Sequence, residues 1–230
     1  MPIRAPLPPR SGYLPPVETT SRDGLWAAVE VFDAEAAELE LKRLFHGIPL
    51  SGAVATVVLP LLKDVGDRWE DGTLSVAHEH FVSELVRRRL VAVTSYDDGR
   101  AWADTSAPVV VLACPSGERH DMVLLCVGLM LGERGVRVRF LGADTPVPAI
   151  AAAARGAGAD AVVLAATRAT VFTAHTSALR RLARDRPLFI AGRGADEQVA
   201  SELRAHALTG DPVRAVAVLV GELARLSGSW

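Results

Sequence analysis

The chain has 230 residues, half of them hydrophobic, with 25 Lys and Arg against 27 Asp and Glu and a formal net charge of −2. That size and composition allow one or two domains with a real core and exclude wholesale disorder, and the near-neutral balance sets aside nucleic acid as a direct partner. The two cysteines, Cys114 and Cys126, cannot build a disulfide framework, and the longest uncharged run, Gly47 to Leu62, is too short and too proline-broken to span a bilayer, so a reduced, cytoplasmic setting is expected.

Residues 1–22 read as a proline-rich arm without regular structure and without a signal-peptide pattern. Helical spacing of apolar residues then runs over 23–95. Asp23 can cap a first helix carrying Trp26, Val29 and Phe32. Asp33 can cap a second with Ala36, Leu39, Leu44 and Phe45, ended by His46-Gly47. A third, from about Ser51, places Val54, Val57, Leu61, Val65 and Trp69 on one stripe despite Pro60, until Asp71-Gly72 breaks it. A fourth, from about Ser75, carries Val82, Val86 and Val93. Four short-linked helices predict a small antiparallel bundle.

Residues 96–107 are polar, aperiodic and read as a linker. Over 108–230 the pattern changes to alternating strands and helices. Strands are expected at Val109 to Ala113, Val136 to Leu141, Ala161 to Ala165, Leu188 to Ala191 and Ala207 to Thr209. Helices are expected at Asp121 to Arg134, from Thr145-Pro146 with the proline at the first helical position, at Thr176 to Arg184, at Ala195 to His206, and after Asp211. Five βα units predict an α/β fold: a flavodoxin-like, doubly wound parallel sheet with helices on both faces. Its ligand edge lies beyond the carboxyl ends of the strands.

At that edge, after the first strand, stands Cys114-Pro115-Ser116-Gly117-Glu118-Arg119-His120-Asp121. His120 precedes a helix, and Glu118 is placed to hold one of its ring nitrogens, an arrangement suited to a metal-ligating imidazole. Spacing alone favours a loop histidine that merely caps a helix, because single His-acid pairs are common. His78 and His80 are two apart on a helix and point in different directions, and neither CxxC nor HExxH occurs, so a zinc site is not expected. The glycines of Ala191-Gly192-Arg193-Gly194-Ala195 follow the fourth strand rather than the first, which disfavours a dinucleotide fingerprint; they serve a tight turn, make room for a bulky ligand, or both. In the bundle, Glu79 shares the apolar stripe of Val82 and Val86, where an acid needs a polar partner or a cavity. Trp69 on its own reads as packing. No nucleophile–base–acid triad or G-x-S-x-G elbow is present, so catalysis by the chain is not expected.

A helical bundle followed by a flavodoxin-like domain with an acid-x-His loop after its first strand resembles the cobalamin-binding module, over about residues 24–228. Leu141-Gly142-Ala143-Asp144-Thr145-Pro146 is similar to the second βα loop of that family. Trp69, nine intervening residues and then Glu79-His80 resembles the adenosylcobalamin-dependent light sensors, in which those residues enclose the upper face of the cofactor. The resemblance implies that His120 binds the cobalt of cobalamin from below, that Glu118 and Asp121 support it, that Thr167 and Gly192 line a channel for the displaced nucleotide base, and that Gly142 of the second loop is a cofactor-binding position. The family's glycine three residues after the ligand is Val123 here, and Glu70 replaces the histidine that follows the Trp in the light-sensing repressors. Their DNA-binding domain has no counterpart in the sequence.

These features point to a cobalamin-binding sensory module, expected to be a homo-oligomer that signals to a downstream protein, with adenosylcobalamin as cofactor. The altered residues Val123 and Glu70 extend the expectation to a second, linear tetrapyrrole such as biliverdin. Two other classes fit parts of the pattern: a corrinoid shuttle protein of a methyltransferase system, and a module that binds no corrin and serves only in protein interaction.

Overall fold

The computed structural model describes residues 22–94 and 106–226; all of the expected arm but Arg22, which opens the first helix, and nearly all of the expected linker lie outside them. The chain opens with α1 (Arg22–Glu30) and α2 (Ala34–Leu44). Asp33 caps α2, its carboxylate accepting from the Ala36 N–H at 3.0 Å. Phe32, expected inside the first helix, lies beyond it in the left-handed region with φ 55°. Its ring stacks on His78 at 4.3 Å and meets Phe81 edge-on, contacts that hold a bulky residue in a conformation it rarely adopts.

The third helix of the bundle is not a plain α-helix. It begins as α3 (Leu50–Ala53), widens into a π turn over Val54–Val58, and continues as α4 (Leu59–Glu70). Pro60 explains the widening, since a proline has no N–H to offer the carbonyl four residues back and its ring crowds that carbonyl. That carbonyl, Thr56 O, accepts instead from the Arg22 guanidinium at 3.0 Å, and the Leu59 N–H reaches back five residues to Val54 O. The predicted stripe survives: Val54, Val57, Leu61 and Val65 are buried, while Trp69 at the far end is 52% exposed. With α5 (Val76–Thr94) the four-helix bundle is complete.

The second half is a five-stranded parallel sheet in the order β2-β1-β3-β4-β5, with β1 (Val109–Pro115), β2 (Arg137–Thr145), β3 (Ala161–Ala165), β4 (Leu188–Ala191) and β5 (His206–Leu208). Its helices are α6 (Met122–Gly132), α7 (Val147–Gly156), α8 (Ala169–Thr173), α9 (Thr176–Asp185), α10 (Glu197–Leu203) and α11 (Pro212–Leu226). Every residue of β1 is buried, as a β-branched run flanked by parallel strands and covered on both faces should be. Val109, Val111 and Ala113 face a core shared with α7, α9 and α10. Val110, Leu112 and Cys114 face a core shared with α6, α11 and the bundle, so one continuous apolar cluster joins the two halves of the molecule.

Several details depart from the sequence expectation, among them α10, which ends at Leu203 so that His206 opens β5. α8 precedes α9 where one helix was expected. Pro146 is the N-cap of α7 rather than its first residue, and Pro148 occupies the first turn. The strand β2 runs on to Thr145 because its register with β1 shifts twice: Leu112 pairs with Phe140, Ala113 with Gly142, and Pro115 with Thr145. Each shift inserts an unmatched residue, bending β2 and re-aiming the segment that follows toward the ligand edge. The order reverses between β1 and β3, so the loops after these two strands flank the switch-point crevice.

The turn after β4 packs on the loop after β3 with no room to spare. A Cβ on Gly194 would lie 2.4 Å from the Arg168 carbonyl carbon, whereas one on Gly66, inside α4, would meet nothing within 4 Å. Gly194→Ala should therefore cost about 2 kcal/mol or more of stability, and Gly66→Ala should add about 0.5–1 kcal/mol, both read from urea unfolding midpoints.

Candidate functional site

The loop 116–121 leaves β1 at the switch point, and Glu118 is its internal anchor. The carboxylate is 2% exposed, and among the described residues it has no cationic partner of fixed charge. It is satisfied by four donors. Oε1 accepts the His120 backbone N–H at 2.8 Å and His120 Nδ1 at 2.6 Å. Oε2 accepts the Thr167 N–H and the Thr167 hydroxyl, both at 2.6 Å, from the loop after β3. Burial opposes ionisation, but the Thr167 and His120 donors outweigh it and hold the carboxyl down to about 2.

An ionised carboxylate only accepts, so the proton of the His120–Glu118 bond sits on Nδ1, and in the neutral ring Nε2 keeps a free lone pair. The His120 side chain is 77% exposed. The result is an imidazole with its rotation and tautomer set from behind and its nucleophilic nitrogen presented outward. Among the described residues no three His, Cys, Asp or Glu side chains group together as metal ligands. A single oriented imidazole suits a metal that brings its other ligands with it, as cobalt does in a corrin macrocycle, better than a bare ion.

Three further residues hold this loop, and sequence reading did not single them out. Asp144, with φ 50°, lies in the bulged end of β2; its carboxylate accepts the Gly117 N–H and its own N–H donates to Glu118 O, both at 2.8 Å. His175 Nε2 lies 3.2 Å from Ser116 O. Arg87 of α5 forms an ion pair with Asp121, the residue after His120. The available signals were an Asp beside the Gly142 turn and the i, i+4, i+8 polar line Glu79, Ser83, Arg87 on α5.

The structure therefore brings Glu118, His120 and Thr167 into one hydrogen-bonded unit and sets Asp121 beside it. Gly142 has φ 78°, and a Cβ there would lie 3.4 Å from Asp121 Oδ2. Gly192, with φ 89°, approaches the loop after β3 so closely that a Cβ would stand 2.5 Å from Ala166 O. Of its two sequence-level roles, the close backbone turn is the one the geometry requires. Val123 lies in the first turn of α6, exposed. Trp69, Glu79 and His80 stand at the α4–α5 end of the bundle. Glu79 accepts from Ser83 Oγ at 3.0 Å and pairs with His80 Nδ1 at 2.6 Å; it is half-buried rather than sealed in the core, and His80 is 75% exposed. Among the described residues no hydrogen bond or ion pair ties these three to the His120 loop.

Cys114, beneath the loop, is buried, and desolvation pushes its thiol up to about 12, so it serves as packing and not as a thiolate ligand.

Because the Glu118 carboxyl is lowered from an ordinary 4.5 to about 2, its contribution to stability is complete above pH 4.5 and is lost as the pH falls toward 2. The contribution is on the order of 3 kcal/mol. In urea unfolding between pH 3 and 7, the wild-type chain should lose stability below pH 4.5 more steeply than Glu118→Gln, and the gap between them should be constant from pH 5 to 7.

Comparison with known proteins agrees with this geometry. Residues 21–94 and 108–208 each match a family model described as a B12 binding domain. The chain is 34% identical over 207 residues to the HTH-type transcriptional repressor CarH of Myxococcus xanthus, covering 85% of this chain and 66% of that protein. It is also 34% identical over 182 residues to the repressor CarA of the same organism, covering 77% and 60%. The chain thus spans less than two thirds of the length of these relatives. The fold matches the monomethylamine corrinoid protein of Methanosarcina barkeri with a TM-score of 0.70 at 18% identity, over 86% of this chain and 96% of that one. With matches over both its helical and its α/β segment, the chain belongs to the B12-binding domain family and is a cobalamin-binding module.

Proposed function

We propose that the chain is a sensory module for adenosylcobalamin, read out by light. The observation that carries this is the exposed His120 imidazole, fixed through Nδ1 by a buried Glu118 that is itself held by Thr167. His120 Nε2 would hold the cobalt. Glu118 orients the ring and keeps its second nitrogen protonated, and Thr167 keeps Glu118 ionised. Gly142 and Gly192 let the neighbouring turns approach the site closely. Trp69, Glu79 and His80 would close over the opposite side of the cofactor, with Glu79 steadied by Ser83. The bound group would supply a light-sensitive cobalt–carbon bond, chemistry that belongs to the cofactor.

The apolar cluster shared by the bundle and one sheet face offers a route for output. A change in how the bundle sits on the α/β half would alter the surface offered to a second copy of the chain or to a downstream protein. The 34% identity to two repressors supports a regulatory reading over a catalytic one.

Dark-purified protein loaded with adenosylcobalamin should be coloured and should change its absorption spectrum on green illumination. His120→Ala should bind at least 10-fold more weakly, and Glu118→Gln 10- to 100-fold more weakly, by titration in the dark. Trp69→Ala should keep binding but lose preference for the adenosyl over the methyl form. Preferential retention of methylcobalamin with no light response would instead identify a methyl-group shuttle, and a protein left colourless would overturn the corrinoid reading.

A further inference from the structure

Among the described residues, four helices are preceded by an aspartate at or beside the capping position, and three of those aspartates cap. Asp33, Asp196 and Asp211 accept backbone N–H bonds from Ala36, Val199 and Arg214 at 3.0, 2.7 and 3.0 Å. Asp121, at the N-cap of α6, makes no such bond. Its backbone is already helical, with φ −99° and ψ −4°, so its carboxylate points away from the helix it precedes. Oδ1 goes to the Arg87 guanidinium on α5. The side chain is 13% exposed, so the charge is largely withdrawn from water, and Arg87 is what compensates it.

The pair joins the two halves of the molecule one residue from His120. The other long-range anchors of the loop, Thr167, Asp144 and His175, belong to the α/β half. Among the described residues, Arg87 alone reaches the loop by an ion pair from the bundle. It also lies on the same face of α5 as Glu79 and Ser83, two turns and one turn away, and Glu79 is the neighbour and partner of His80. A rigid helix thus links the Glu79-His80 end of the bundle to the residue next to the imidazole.

We propose that Arg87 is a positioning residue for the His120 imidazole: through Asp121 it fixes the carboxyl-terminal end of the loop and makes the imidazole's placement depend on where the bundle sits. This rests on the corrinoid reading for its functional meaning, but its structural half stands on the cofactor-free protein.

Two measurements test it together. In cofactor-free protein, Arg87→Met and Asp121→Asn should each speed hydrogen exchange of the His120 amide several-fold, leaving amides inside β1 unchanged. In protein titrated with hydroxocobalamin, each should weaken binding about 10-fold and lower the fraction of bound cobalt carrying the imidazole. The double variant should be no worse than either single, and Arg87→Lys should recover most of the loss. Unchanged His120 exchange in both single variants would overturn the proposal whatever the corrinoid does. So would strictly additive losses in the double variant. If wild type takes up no corrinoid while the exchange responds as stated, the corrinoid reading falls and the ion pair still holds the loop.

Discussion

A carboxylate buried without a fixed positive charge is one of the more costly things a protein can contain, and the site is organised around that cost. Glu118 is stable as an anion because four donors converge on it, two from Thr167 and two from His120. The same bonds that satisfy the anion fix the imidazole. Any change that loosens the Thr167 donors weakens the hold on Glu118 and, through it, the orientation of His120. The geometry of the imidazole is therefore a consequence of solving a solvation problem, and the two cannot be tuned separately.

The rest of the fold supplies what that arrangement requires. The switch in strand order puts the loops after β1 and β3 side by side, so that Thr167 can reach Glu118 across 49 positions of sequence. The bulges of β2 bring Asp144 to the backbone of the same loop. The bundle adds an apolar cluster continuous with one face of the sheet, and one ion pair beside the imidazole. Rigid elements thus meet at the one residue that must be exposed.

Much of this was legible in the sequence, and what was not has physical reasons. The strands β3 and β4 match their expected limits because an apolar run buried on both faces announces itself, and Asp33 and Asp211 marked helix starts because capping is local chemistry. Glu118, His120 and Thr167 were found through family resemblance and through two-residue spacing. The bulges of β2 were not legible, since register is set by pairing with β1 and not by the side chains of β2 alone. Neither was the role of Arg87, because an arginine at helical spacing looks like any solvated cation until its partner, 34 residues away, is known. Asp121 was expected as the first residue of its helix and lies just before it, its carboxylate turned to Arg87.

The central claim is that one protein imidazole ligates the cobalt. The most direct measurement is the electron paramagnetic resonance spectrum of the cobalt(II) corrinoid bound to protein labelled with 15N-histidine. The account predicts that the nitrogen splitting of each cobalt line changes from a triplet to a doublet on labelling and that His120→Ala abolishes the doublet. A triplet indifferent to the label, arising from the corrinoid's own nucleotide base, would contradict it.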